Sequence, residues 1–174
     1  ELCLCHSPEY VELVRSEVES GSRQLSTGDT ELCPATYEVA RLAVGGVLAA
    51  VDAVFAGEVQ NAFCVVRPPG HHASAGRGMG FCVFNNVAIA ARYAQQRYLV
   101  ERVLIIDWDV HHGNGTQELF YDDRTVYYFS MHEWPLFPGT GVPEERGGGS
   151  GRGTTLNCIF PDRKSTRLNS SHRT

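Results

Sequence analysis

Asp107, Asp109 and His111 stand at alternate positions in the string Asp107-Trp108-Asp109-Val110-His111-His112-Gly113-Asn114-Gly115. Carboxylate oxygen and imidazole nitrogen together suit zinc and similar divalent ions. The string follows the apolar run 103–106, which reads as a buried strand. Side chains alternate along a strand, so one continuing through Asp-x-Asp-x-His would turn all three to the same face. They would converge where the strand leaves the sheet, which is where open α/β sheets hold ligands.

A second cluster, Arg67-Pro68-Pro69-Gly70-His71-His72-Ala73, follows the apolar run 62–66, read as another strand. The prolines stiffen this loop and Gly70 lets the backbone turn. Adjacent histidines can serve as general base and general acid when their neighbours set different protonation states. Each needs an orienting partner, and Asp107 and Asn114 are of suitable type. One such histidine alone is more often a satisfied structural residue. Two His-His pairs at two strand ends, one beside Asp-x-Asp, argue against that here. The third element is Gly80-Phe81-Cys82-Val83-Phe84-Asn85-Asn86. Gly80 permits close approach of the backbone, and Phe81 can wall an apolar channel.

The elements that must position these residues alternate in type. Residues 8–19 read as an amphipathic helix with Pro8 at its start and Val11, Val14 and Val18 on one face. Residues 21–30 are turn-rich. A long helix is predicted over 35–56, closed by Gly57, and another over 85–97, capped by Asn85 or Asn86. Residues 116–121 predict a helical turn, and 126–130 and 154–159 further strands. This alternation predicts an α/β fold, a mostly parallel central sheet with helices on both faces. The glycine-rich stretch 139–153 lacks the Lys-Ser/Thr and following helix of a phosphate loop, and is read as a mobile surface loop.

With 174 residues the chain can form one sizeable core. A net charge of −5 gives no basic footprint for nucleic acid. The longest apolar region, 42–54, is interrupted by Gly45, Gly46 and Asp52 and is too short for a membrane span. The six cysteines lack paired zinc spacing, which predicts reduced, buried thiols in a cytoplasmic protein. A nuclear location stays open for a eukaryotic source. Oligomeric state is left open. The absence of an initial Met suggests a missing N-terminus. Residues 162–172, DRKSTRLNSSH, resemble the translation of a sequencing-library adapter. That predicts a native continuation differing from this chain after Pro161, with a disordered basic tail as the alternative.

Taken in order and spacing, RPPGHHA, GFCVFNN and DWDVHHGNGTQ resemble the zinc-dependent histone deacetylase family. The resemblance is closest to its class II branch and bacterial relatives, which include acetylpolyamine amidohydrolases. It runs from about Leu2 to Pro161, so that 1–161 would be part of a catalytic domain. It implies an arginase-like three-layer α/β fold, incomplete at the C-terminus, with one catalytic zinc and structural potassium. Asp109 and His111 would be two of three zinc ligands. His71 and His72 would be the tandem catalytic histidines, the first oriented by Asp107 and the second by Asn114. Asp107, Asp109, His111, Ser130 and Met131 would form one potassium site, and Phe120, Asp123 and Val126 would lie at a second. Gly80 and Phe81 would line the substrate channel. The third zinc ligand, an Asp, and the catalytic Tyr would fall beyond Pro161, leaving the fragment inactive.

The implied substrate is an acetylated lysine on a protein, or alternatively an acetylated polyamine. Asp29 could hold a substrate backbone or ammonium, or be a solvated loop carboxylate. A dimanganese ureohydrolase would want further carboxylates after Asp109, where His111-His112-Gly113-Asn114 stand instead. A degenerate binding module is disfavoured by the intact His71, His72, Asp109 and His111.

Overall fold

The structure is a computed structural model, and it describes residues 1–161. Residues 162–174, including the adapter-like string, lie outside the described residues. The chain divides into two compact units, one spanning Glu1–Val103 and the other beginning at Leu104.

The first unit is helical. Helix α1, Pro8–Glu19, starts where the Ser7 hydroxyl accepts the Tyr10 N–H at 3.1 Å, with Pro8 in the first turn. Its buried side is Tyr10, Val14 and Val18, with Val11 partly buried beside them. Helix α2, Thr36–Phe55, turns Ala40, Ala43, Val44 and Leu48 inward, the spacing of one helical face. Helix α3, Asn86–Tyr98, is capped by Asn85, whose side chain accepts the Ala88 N–H. Val14, Leu25, Phe84 and Ile89 are enclosed in the core these helices share. Each such side chain contributes roughly 1.5–3 kcal/mol through burial. Asp52 on α2 accepts hydroxyls from Tyr98 at 2.7 Å and Tyr93 at 2.9 Å on α3, and these bonds hold its carboxyl below the usual range. Among the described residues no helix is long and apolar enough to cross a membrane.

The second unit carries a three-stranded sheet in the order β1 (Val103–Asp107), β2 (Val126–Trp134), β3 (Thr155–Pro161). Strands β2 and β3 run parallel, with Ser130 opposite Asn157. Helix α4, Asn114–Phe120, lies between β1 and β2 in the chain.

Four expectations change. Residues 62–66 form no strand, and Phe63 and Val65 are 91% and 85% exposed. An apolar run needs a backbone partner to become a strand, and none is formed there among the described residues. Strand β1 is only partly buried, with Ile105 enclosed and Leu104 and Ile106 exposed. All six cysteines are free, but only Cys82 is buried, while Cys3 and Cys33 are exposed. The stretch 139–153 is not a bare surface loop, because Gly141 and Gly151 are buried within it.

Candidate metal and catalytic site

Strand β1 stops at Asp107, so Asp109 and His111 are presented by turns and not by strand alternation. The Asp107 carboxylate accepts the Asp109 N–H at 3.1 Å, and the Asp109 carboxylate accepts the His111 N–H at 2.8 Å. Asp side chains that bond the backbone two residues on replace a strand by successive Asx turns. The same Asp109 Oδ1 lies 3.1 Å from His111 Nδ1, and both side chains are partly exposed. Oxygen and nitrogen donors so close together suit zinc, though a catalytic zinc takes three protein ligands. Among the described residues no group of three or more His, Cys, Asp or Glu is placed to hold a metal.

Behind this turn lies a buried polar network that the sequence reading missed. His112 Nε2 is 3.0 Å from Gln117 Oε1, and Nδ1 is 2.8 Å from Thr140 Oγ1. A carbonyl can only accept, so the Nε2–H donates to Gln117 and Nδ1 accepts the Thr140 hydroxyl. Gln117 Oε1 also accepts from Asn157 at 2.8 Å, and its amide nitrogen donates to Glu145. His132 follows the same rule: Nε2–H donates to the Gly141 carbonyl at 3.0 Å, and Nδ1 accepts the Ser130 hydroxyl at 2.8 Å. The two rings sit 4.7 Å apart. Burial, and then the neighbouring His132, push the His112 pKa down to about 4. Burial lowers that of His132 too. Both rings are therefore neutral at pH 7.

Gly141 closes the network. Its φ is +91°, and a Cβ there would lie 2.5 Å from His112 Cγ and 2.6 Å from His132 Nε2. The sequence did carry a signal for His132. Val126, Tyr128, Ser130 and His132 are all buried at period two along β2. A polar residue that keeps that period belongs inside.

The implied potassium residues sit around the same strand. Asp107 Oδ2 accepts the Tyr128 hydroxyl at 3.1 Å, and burial with that carboxylate raises the Tyr128 pKa well above its ordinary value. Ser130 is buried and Met131 follows it on β2. Phe120 and Val126 are buried, while Asp123 Oδ1 accepts both the N–H and hydroxyl of Thr125 at 2.6 Å. Asn114 opens α4, with Gly113 as its N-cap.

In the first unit, the His71 and His72 rings are tilted 46° to each other with centroids 4.1 Å apart, and His72 is buried. Gly70 has a use other than the expected turn. A Cβ there would meet Asn86 N at 2.6 Å and Phe84 O at 2.8 Å, so only glycine lets the histidine loop pack on the start of α3. His6 braces the next residues: Nδ1–H donates to Ser74 O at 2.8 Å, and Nε2 accepts the Asn85 N–H at 2.9 Å. Burial lowers the His6 pKa to about 4. Gly80 and Phe81 have φ of +57° and +67°, and Phe81 is 68% exposed. For Phe81 the left-handed conformation costs about 1–2 kcal/mol. Asp29 is neither buried nor merely solvated, because it accepts the Gly80 N–H at 2.7 Å.

A histone deacetylase domain model matches residues 1–171. The chain belongs to the histone deacetylase family and carries its α/β fold. It is 47% identical to the polyamine deacetylase HDAC10 of Rattus norvegicus, over 90% of this chain and 28% of that protein. It is 45% identical to a probable deacetylase of Archaeoglobus fulgidus, over 90% of this chain and 43% of that protein. The HDA15 HD domain superposes with a TM-score of 0.85 at 41% identity, covering 91% of this chain and 46% of that chain. The chain thus spans less than half the length of each of these relatives.

Proposed function

We propose that the protein bearing this sequence hydrolyses acetyl-lysine amides with one zinc ion, releasing acetate and the free amine. The observation that carries this reading is the Asp109–His111 pair, oxygen and nitrogen donors 3.1 Å apart on one turn. Asp109 and His111 would hold the metal, with a third ligand supplied from elsewhere in a complete domain. Bound zinc would polarise the amide carbonyl and acidify water. His72 would take a proton from the attacking water and return one to the departing amine, with Asn114 holding the ring. His71, backed by Asp107, would favour the negative charge that develops on the carbonyl oxygen. The Gly80 carbonyl would accept the substrate amide N–H, and Phe81 would flank the acyl-lysine stem. Potassium at Asp107, Asp109, His111, Ser130 and Met131 is part of the reading. The Ser130 hydroxyl donates to His132, which leaves lone pairs on Oγ for a cation. A second potassium near Phe120, Asp123 and Val126 is carried by the family alone.

A second reading, acetylpolyamine hydrolysis by the same chemistry, is favoured by the 47% identity to a polyamine deacetylase. Steady-state assays on an acetyl-lysine peptide and an acetylpolyamine, in a full-length deacetylase domain bearing this sequence, separate the two. His72→Ala should keep zinc and slow turnover by about 10²-fold or more. Normal turnover in that variant would remove the tandem histidines from the proton path.

A further inference from the structure

Met79, Gly80, Phe81 and Cys82 form a tight turn, closed by the Cys82 N–H donating to the Met79 carbonyl at 2.9 Å. Both central residues have positive φ, the geometry of a type I′ turn. Such turns favour Asn, Asp or Gly at both central positions. Phe81 breaks that rule at an exposed position. A strained turn persists only where its surroundings over-determine it.

The surroundings are one short loop. The Thr27 hydroxyl oxygen accepts the Gly78 N–H at 3.2 Å. Asp29 Oδ1 accepts the Gly80 N–H at 2.7 Å. The buried Thr30 hydroxyl donates to the Cys82 carbonyl at 3.2 Å. These three side chains thus grip the turn before it, within it and after it. The loop is itself anchored, with the Leu25 N–H on the Thr30 carbonyl at 2.8 Å and Leu25 in the core. The Asp29 bond is the short, charge-assisted one, and it falls on the peptide that fixes Gly80.

We propose that Thr27, Asp29 and Thr30 form a clasp that holds the Gly80–Phe81 turn in its strained form, with Asp29 as the positioning residue for the substrate channel. The inference rests on the deacetylase reading above, which gives Gly80 and Phe81 their substrate contacts. It departs from a direct contact between Asp29 and substrate. A clasp needs a hydrogen-bond acceptor at position 29, whereas a contact with a cationic substrate needs its charge.

Asp29→Ala and Asp29→Asn in a full-length deacetylase domain distinguish these. The clasp predicts that Asp29→Ala raises KM for a neutral acetyl-lysine substrate about tenfold or more, the size of a lost hydrogen bond to a charged group. The kcat should change less than about threefold. Asp29→Asn keeps an acceptor oxygen and should restore most of the KM. The Gly80 amide, followed by hydrogen exchange, should exchange at least about tenfold faster in Asp29→Ala and near the parent rate in Asp29→Asn. Equal KM defects in both variants, or unchanged Gly80 exchange in Asp29→Ala, would overturn the clasp. An inactive parent domain would overturn the deacetylase reading and with it the assignment of Asp29 to a substrate channel. An active parent whose KM ignores Asp29→Ala would overturn the clasp alone.

Discussion

Val14, Leu25, Phe84 and Ile89 fill the interior of the first unit, while in the second His112, Ser130, His132 and Asn157 are buried as deeply as Phe120, Val126 and Tyr128. The histidine loop 67–73 is held to the start of α3 by the Asn85 amide donating to the Ala73 carbonyl and the Asn86 amide donating to the Pro68 carbonyl, while His6 holds Ser74 just beyond it. The turn bearing Asp109 and His111 is backed by a chain of hydrogen bonds through His112, Gln117, Glu145 and Asn157. An apolar core tolerates a swap of similar volume, but a buried polar network fails when one member is removed, because its partners stay unsatisfied. The turn that would carry the metal is therefore backed by the more exacting set of residue types.

The sharpest way to break this contrast is at Gly141. Any Cβ meets the His112 and His132 rings, and φ of +91° disfavours side chains there. Gly141→Ala should destabilise the protein by about 4 kcal/mol, combining overpacking with backbone strain. Urea unfolding measures this, and a loss below about 1 kcal/mol would mean the loop does not close the network. Next comes Gln117→Leu, which keeps volume and removes the hub. It leaves the His112 Nε2–H, an Asn157 N–H and Glu145 without that partner, so a loss of roughly 3 kcal/mol is expected. A neutral outcome in thermal unfolding would show that the second unit tolerates an apolar centre as the first does.

A pH series probes one of the buried polar groups of the first unit, His6. Burial keeps His6 neutral in the fold, and its Nε2 accepts the Asn85 N–H. Its folded pKa of about 4 lies below the ordinary 6.5. The unfolded chain binds the proton more readily, so this contribution is whole above pH 6.5 and is lost as pH falls towards 4. The total is about 3 kcal/mol. His6→Gln should flatten that part of the stability profile, and an unchanged slope between those limits would contradict the assignment.

Legibility followed the same division. Helices α1, α2 and α3 were readable because period, Pro8 and Asn85 all report local physics. The three motifs were readable because their residue types are rare together. The strand at 62–66 was misread because hydropathy does not contain its partner. The burial of His132 is legible as a continuation of the period-two pattern of 126–130, but its bond to Gly141 nine residues on is meaningful only after β2 folds. Asp29 was noticed as a charge, but its bond to Gly80 spans 51 residues and no local pattern encodes it.

The zinc assignment is tested most directly by measuring metal content and deacetylation together in full-length domains carrying Asp109→Ala or His111→Ala. Removing a ligand outright should abolish stoichiometric zinc and activity in parallel, for both variants and for both acetyl substrates. Full zinc occupancy in both variants, or turnover that survives loss of the metal, would contradict the account.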